Sequence, residues 1–215
     1  MKLEKDDKQE LIEDIIDLEW DLFRNVNSKG PKAACQLDKK AFHLYRFSNY
    51  AIWTVDILDI YKAFILDSIK AGRNILTEKY AYMMEETDPE NWESISAHLR
   101  EIDEEEIILI EKIWEINRIW ATDLQARFPN LLSLGRPIEA SSDEKQVTSA
   151  ETYFKCELKT YTMEILTKLY SWYSKNHDEG KSLLEDNYKI MVSLLGFSSL
   201  QEAEDRAKSQ LKDIK

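Results

Sequence analysis

The stretch HLYRFSNYAIWTVDILDIYKAFILDSIKAGRNILTEKYAYM, residues 43–83, carries the clearest helical signature in the chain. Neither Gly nor Pro interrupts it before Gly72, and Tyr45, Tyr50, Trp53, Ile57, Ile60, Tyr61 and Phe64 fall at spacings that place them on one side of a helix. Asp38 is a plausible N-cap, so the pattern predicts one long helix from Asp38 to Ala71, ended or kinked at Gly72. A further helix is expected over residues 74–86, closed by Thr87-Asp88-Pro89.

Working outward, residues 9–25 place Leu11, Ile12, Ile15, Ile16, Leu18 and Phe23 between acidic side chains, the pattern of an amphipathic helix. Residues 88–103 read as a polar connector holding a short helical turn. A helix over residues 104–127 follows, then a long loop over 129–147 with Gly135-Arg136-Pro137. Another long helix is expected over 148–178, a shorter one to about Leu195, and a last amphipathic helix over 199–212.

The two halves resemble each other. Sliding residues 43–83 by 108 positions superimposes eight identities: Tyr45 on Tyr153, Thr54 on Thr162, Ile57 on Ile165, Leu58 on Leu166, Gly72 on Gly180, Leu76 on Leu184, Tyr80 on Tyr188 and Met83 on Met191. Ordinary residue frequencies give roughly two or three. Leu11-Ile12-Glu13 pairs likewise with Leu109-Ile110-Glu111, and Ser28-x-Gly30-Pro31 with Ser133-x-Gly135-Arg136-Pro137. The expectation is an all-α protein, a single pseudo-two-fold helical bundle from internal duplication of a helix–loop–long helix–helix unit. Its repeats span about 10–87 and 104–196 across a linker at 88–103.

Composition agrees with helices, since five Gly and four Pro in 215 residues are too few to punctuate a many-stranded sheet. A net charge of −12 without a basic stripe argues against nucleic acid. The N-terminal residues are charged with no apolar run behind them, and no stretch approaches a membrane span, so a cytoplasmic location without membrane attachment is expected. Cys35 and Cys156 are expected as free thiols.

Metal chemistry finds no ligand set: three residues before His43, His98 and His177 stand Lys40, Ile95 and Ser174, so no Glu-x-x-His pair exists. Phosphate-cradling glycine loops and a serine nucleophile elbow are also missing. The sequence names no cofactor and no oligomeric state.

What remains is a set of polar side chains that an ordinary bundle does not need. Cys35 and Gln36 precede a helix N-terminus, where a thiol can be activated; a small buried apolar Cys is the plainer reading. Arg46 lies among Tyr45, Phe47, Tyr50 and Trp53, and Asn74 and Glu78 share a helix face. Glu151, Tyr153, Glu157 and Tyr161 form a polar stripe that can equally be a satisfied network.

The runs Glu10 to Trp20, Ala34-Cys35-Gln36, Gly72-Arg-Asn-Ile-Leu-Thr-Glu-Lys-Tyr80, Gly135-Arg-Pro137 and Glu151-Thr-Tyr153 resemble the domain of unknown function 4125 family of bacterial proteins over about residues 10–206. The resemblance implies motif positions and no chemistry. It sets Cys35, Gln36, Arg46, Asn74, Glu78, Tyr80, Arg136, Glu151 and Tyr153 in motif-bearing segments.

The resulting expectation is a pocket between the repeats for an anionic small molecule. Cys35, Glu78 and Glu151 are the catalytic candidates, and Glu19, Gln36, Arg46, Trp53, Asn74, Tyr80, Arg136, Tyr153 and Glu157 the binding candidates. The alternative is a non-catalytic interaction or regulatory protein that presents an acidic helical surface.

Overall fold

The computed structural model describes residues 2–26, 34–143 and 147–213. Among them the architecture is all-α, with no β-strand. Helix α1 spans Lys2–Arg24, α2 Lys39–Ala51, α3 Val55–Lys70, α4 Ile75–Thr87, α5 Pro89–Ser96 and α6 Glu104–Arg127. Then come the single turn α7 (Pro129–Leu132), α8 (Ala150–Leu158), α9 (Met163–Asp178), α10 (Leu183–Leu194) and α11 (Leu200–Asp213). Short 3-10 turns cover Ala34–Leu37 and Ala140–Ser142.

Each of the two long helices expected from the pattern is in fact two. Thr54 adopts extended backbone with ψ of 160°, and its hydroxyl accepts from the Ile57 N–H, so α3 starts afresh there. Thr162 repeats this one offset later, with ψ of 158° and an acceptor role toward Ile165. A threonine hydroxyl that satisfies an orphan N–H makes a chain break inexpensive. Both α3 and α9 end in the same way. Gly72 and Gly180 sit at φ of 73° and 69°, and Arg73 and Lys181 return their N–H groups to Ser68 and Asn176. Only glycine enters that left-handed region cheaply, so the turn fixes both positions.

The packing is reciprocal. Helix α1 packs on α2, α3 and α4, and α6 packs on α8, α9 and α10 in the same pattern. Helix α4 then lies on α8, α10 lies on α2, and α3 meets α9. Exchanging the two sets of four maps each of these contacts onto another, and α3–α9 onto itself. The core follows suit: Ile12, Ile16, Leu58, Tyr61 and Ile75 from the first half join Ile113, Trp120, Ile165, Leu169 and Leu183 from the second in one buried cluster. Helix α11 adds a smaller apolar cluster with Leu124, Leu132 and Val192. Its Glu204 accepts the Asn130 and Leu131 N–H groups, which pins the start of α7. No helix among the described residues is long and apolar enough to cross a membrane.

Candidate functional site

Four charged side chains lie where the two halves cross. Glu19 of α1 is wholly buried, and both its oxygens are taken by the Arg46 guanidinium, with Nε donating at 2.7 Å and Nη2 making the second bond. Tyr61 donates its hydroxyl to the same carboxylate at 2.6 Å. Arg46 Nη1 reaches across to Glu157 of α8 at 2.7 Å, and Lys79 of α4 donates to the other Glu157 oxygen at 2.5 Å. Tyr161 completes the Glu157 shell at 3.1 Å. The formal charges cancel within this chain of contacts. That is the condition under which ions survive burial, because unpaired ones carry a desolvation penalty of several kcal/mol each.

Burial acts to raise the Glu157 carboxyl, but Arg46 and Lys79 outweigh it and hold it well below the usual carboxylate range. Burial likewise opposes the Arg46 charge, and Glu157 and Glu19 more than offset that. The sign for stability follows. With the folded value depressed, Glu157 contributes fully above its unfolded value near 4.5, and the contribution drains away as pH falls toward the folded value. Glu157→Gln is therefore expected to flatten the loss of stability below about pH 4.5, measured by urea midpoints from pH 5 to pH 2.

Tyr153 marks the outer end of the network. The Lys79 ammonium stands 3.3 Å from its ring centroid on one side, and the Arg136 guanidinium lies 4.5 Å from the centroid. Arg136 is exposed and donates to the Thr148 carbonyl at 2.8 Å, and among the described residues no carboxylate pairs with it. The Lys79 charge lowers the Tyr153 phenol pKa against the opposing effect of burial. Burial instead pushes up Tyr50, Tyr61, Tyr161 and Tyr173. A titration of phenolate absorbance should accordingly show Tyr153 ionising first, and Tyr153→Phe should delete that earliest phase.

Tyr50 lies beside the network with its ring 5.2 Å from the Arg46 guanidinium, and among the described residues its buried hydroxyl has no hydrogen-bond partner. A stranded buried hydroxyl costs about 1–3 kcal/mol. Tyr50→Phe is expected to leave stability unchanged or raise it, read as a melting temperature at or above that of the parent protein.

The binding candidates from the sequence divide sharply. Glu19, Arg46, Glu157, Tyr153 and Arg136 come together in and around the network, while Trp53 packs in the core against Tyr50, Tyr61 and Tyr161. Each of the three Arg46 nitrogens donates within the network, to Glu19 and Glu157.

The others make their contacts outside the network. Gln36 donates to the Phe23 and Val26 carbonyls, and Asn74 caps α4 while donating to Leu22. Tyr80 stacks on Phe23 at 6.3 Å. Glu78 binds Arg73 through two bonds. Glu151 accepts from Lys155 and from the Ala140 N–H, and these offset its burial and lower its pKa. Both proposed catalytic carboxylates are thus engaged away from the network.

The Cys35 side chain and the Ser28 to Pro31 loop lie outside the described residues. Cys156 is buried, and burial pushes its thiol up to about 11, which leaves almost no thiolate near neutral pH.

Sequence reading missed Lys79, placed Tyr61 only in the apolar helix pattern, and met Tyr161 only as part of the polar stripe. Lys79 had a visible signal: it stands four residues from Ile75 and from Met83, on the apolar stripe of α4, where a lysine must find a buried counter-charge.

A neutral counterpart of the Lys79–Glu157 contact exists. Positions 108 residues later and earlier are Asn187 and Asn49, and Asn187 donates its side-chain amide to Asn49 at 2.6 Å where α10 crosses α2. Among the described residues no group of His, Cys, Asp and Glu is arranged to hold a metal ion. Two surface clefts lie elsewhere, one between α3 and α9 and one between α1 and α3. No curated protein and no solved structure matches the chain. A family model described as Protein of unknown function (DUF4125) matches residues 9–205, and the chain belongs to that family.

Proposed function

We propose that the chain binds a small anionic molecule at the outer end of the buried network, and that Tyr153 exchanges a proton with it. In this reading Arg136 pairs with the anion, Lys79 holds the phenol in an ionisable state, and Glu157, Arg46 and Glu19 hold Lys79 in place from behind. The observation that carries it is the contrast between the two equivalent crossings. An Asn–Asn pair suffices to join α10 to α2, so a helix crossing of this kind does not require buried ions. Lysine and glutamate at the other crossing carry a desolvation cost that packing alone does not call for. A cation-flanked tyrosine whose pKa is lowered is suited to proton transfer.

The comparison of crossings rests on a companion proposal, that residues 10–87 and 104–196 descend from one duplicated helical unit. The 108-residue offset, the paired threonine caps and the reciprocal packing support it. The charged crossing is then the specialised copy.

The test is a thermal-shift and calorimetric survey of phosphate- and carboxylate-bearing metabolites against the intact chain. A ligand at one hundred times its Kd stabilises by about 2.7 kcal/mol, a readily visible shift. Arg136→Ala should weaken the hit at least tenfold without lowering the melting temperature of the free protein appreciably. A hit indifferent to Arg136→Ala and Tyr153→Phe would place the binding site elsewhere, and a broad panel without any hit counts against the reading.

A further inference from the structure

The groove between α1 and α3 is independent of the buried network. Its walls are Asp14, Asp17, Leu18 and Asp21 from α1 and Lys62 and Leu66 from α3, around a cleft of about 300 Å³. Positions 14, 17, 18 and 21 recur every three to four residues, so they form one stripe about two turns long. Leu66 is 46% exposed, and Ile69, one turn further along α3, is 41% exposed. Two leucines thus form an apolar floor beneath an acidic rim. Asp14 pairs with Lys62 at 2.6 Å and Asp17 with Lys39 at 2.8 Å, both solvent-facing contacts of small weight. Among the described residues Asp21 pairs with no cation, which leaves the rim negative.

We propose that this groove docks a basic amphipathic helix from a partner protein, with aliphatic anchors one turn apart entering between Leu18 and Leu66 and Lys or Arg side chains meeting Asp17 and Asp21. Helix-in-groove recognition needs an apolar floor with anchor spacing of three to four residues, and charge complementarity sets orientation and partner choice. The same charges decide against a second copy as the occupant, because each chain carries −12 and would set acid against acid.

The probe is a fluorescent synthetic helix with leucine at every third and fourth position and lysine elsewhere, titrated with the intact protein at low salt and followed by anisotropy. Saturable binding is expected, weakened at least tenfold by Leu66→Glu and by Asp21→Lys and unchanged by Arg136→Ala. Leu66→Glu is the decisive variant, since it adds negative charge and strengthens any purely electrostatic attraction to a basic peptide. Loss of binding therefore identifies the apolar floor, whereas retained or tighter binding overturns the proposal. Absence of saturable binding overturns it as well, as does equal affinity for a leucine–glutamate helix. Sedimentation of the unliganded protein supplies the last check: a dimer dissolved by Leu66→Glu assigns the groove to a second copy and overturns the proposal. Leu66 and Asp21 are both exposed, and circular dichroism of each variant verifies the fold. Unaltered peptide binding by Arg136→Ala separates this result from the fate of the small-molecule site.

Discussion

Glu19→Ala is expected to be among the most damaging single substitutions in the chain. It removes a wholly buried carboxylate that neutralises Arg46 on two donors and accepts the Tyr61 hydroxyl. The guanidinium would keep only Glu157, and Tyr61 would be left with a buried orphan donor. Breaking a buried pair from one side costs about 3–5 kcal/mol, against a total stability of about 5–15 kcal/mol for a domain. For a chain of this size that converts to a drop of about 6–20 °C in melting temperature. Glu19→Gln keeps acceptor and shape and should lose less. Equal melting temperatures for the alanine variant and the parent would show that water reaches Arg46 and that the network is not buried in solution.

The second large effect is a non-additive one. Lys79→Asn strands part of the Glu157 charge, Glu157→Asn strands Lys79, and each is expected to cost about 3 kcal/mol or more. The double substitution recreates at α4–α8 the neutral pair already present at α10–α2. It should recover about 1–3 kcal/mol of the summed single losses, measured as the coupling in a urea double-mutant cycle. Recovery stays partial, because Glu157→Asn also deprives Arg46 Nη1 and the Tyr161 hydroxyl of an acceptor. Strictly additive losses would refute the equivalence of the two crossings and with it the main support for a functional reading of the charges.

The helical class was legible in the sequence because its signal is redundant: α1, α6 and α11 each repeat an apolar face over several turns, and a few misread positions do not erase it. The breaks at Thr54 and Thr162 were not legible, since threonine within an apolar run satisfies helix periodicity as well as it caps a new helix. Only the tertiary fold decides between the two roles, as α3 and α9 turn to meet each other across the core. Among the site residues, Glu19, Arg46, Glu157, Tyr153 and Arg136 stood out as charge or polarity among rings. Their division into buried partners and a surface end depends on contacts 27 and 111 positions apart, which no local pattern encodes. Gln36 was singled out for preceding a helix start, Asn74 for sharing a helix face with Glu78 and Glu151 for its place in a polar stripe, and their bonds run to the Val26 carbonyl, the Leu76 N–H and the Ala140 N–H.

The exchange of helices between halves has a kinetic consequence. Helix α4 rests on α8, and α10 rests on α2, through side-chain bonds that span 78 and 138 positions of sequence. Most helical proteins fold quickly because their contacts are local, but here α4 and α10 each pack on a helix of their own half and also on one of the other half. Loop-closure entropy must be overcome before either clasp forms. Refolding should therefore lag behind an up-and-down bundle of equal length, and the ribosome releases the first half well before its clasp is available. Until residue 187 has emerged, α2 has α1 beside it but lacks α10, and Asn49 lacks the amide that later donates to it.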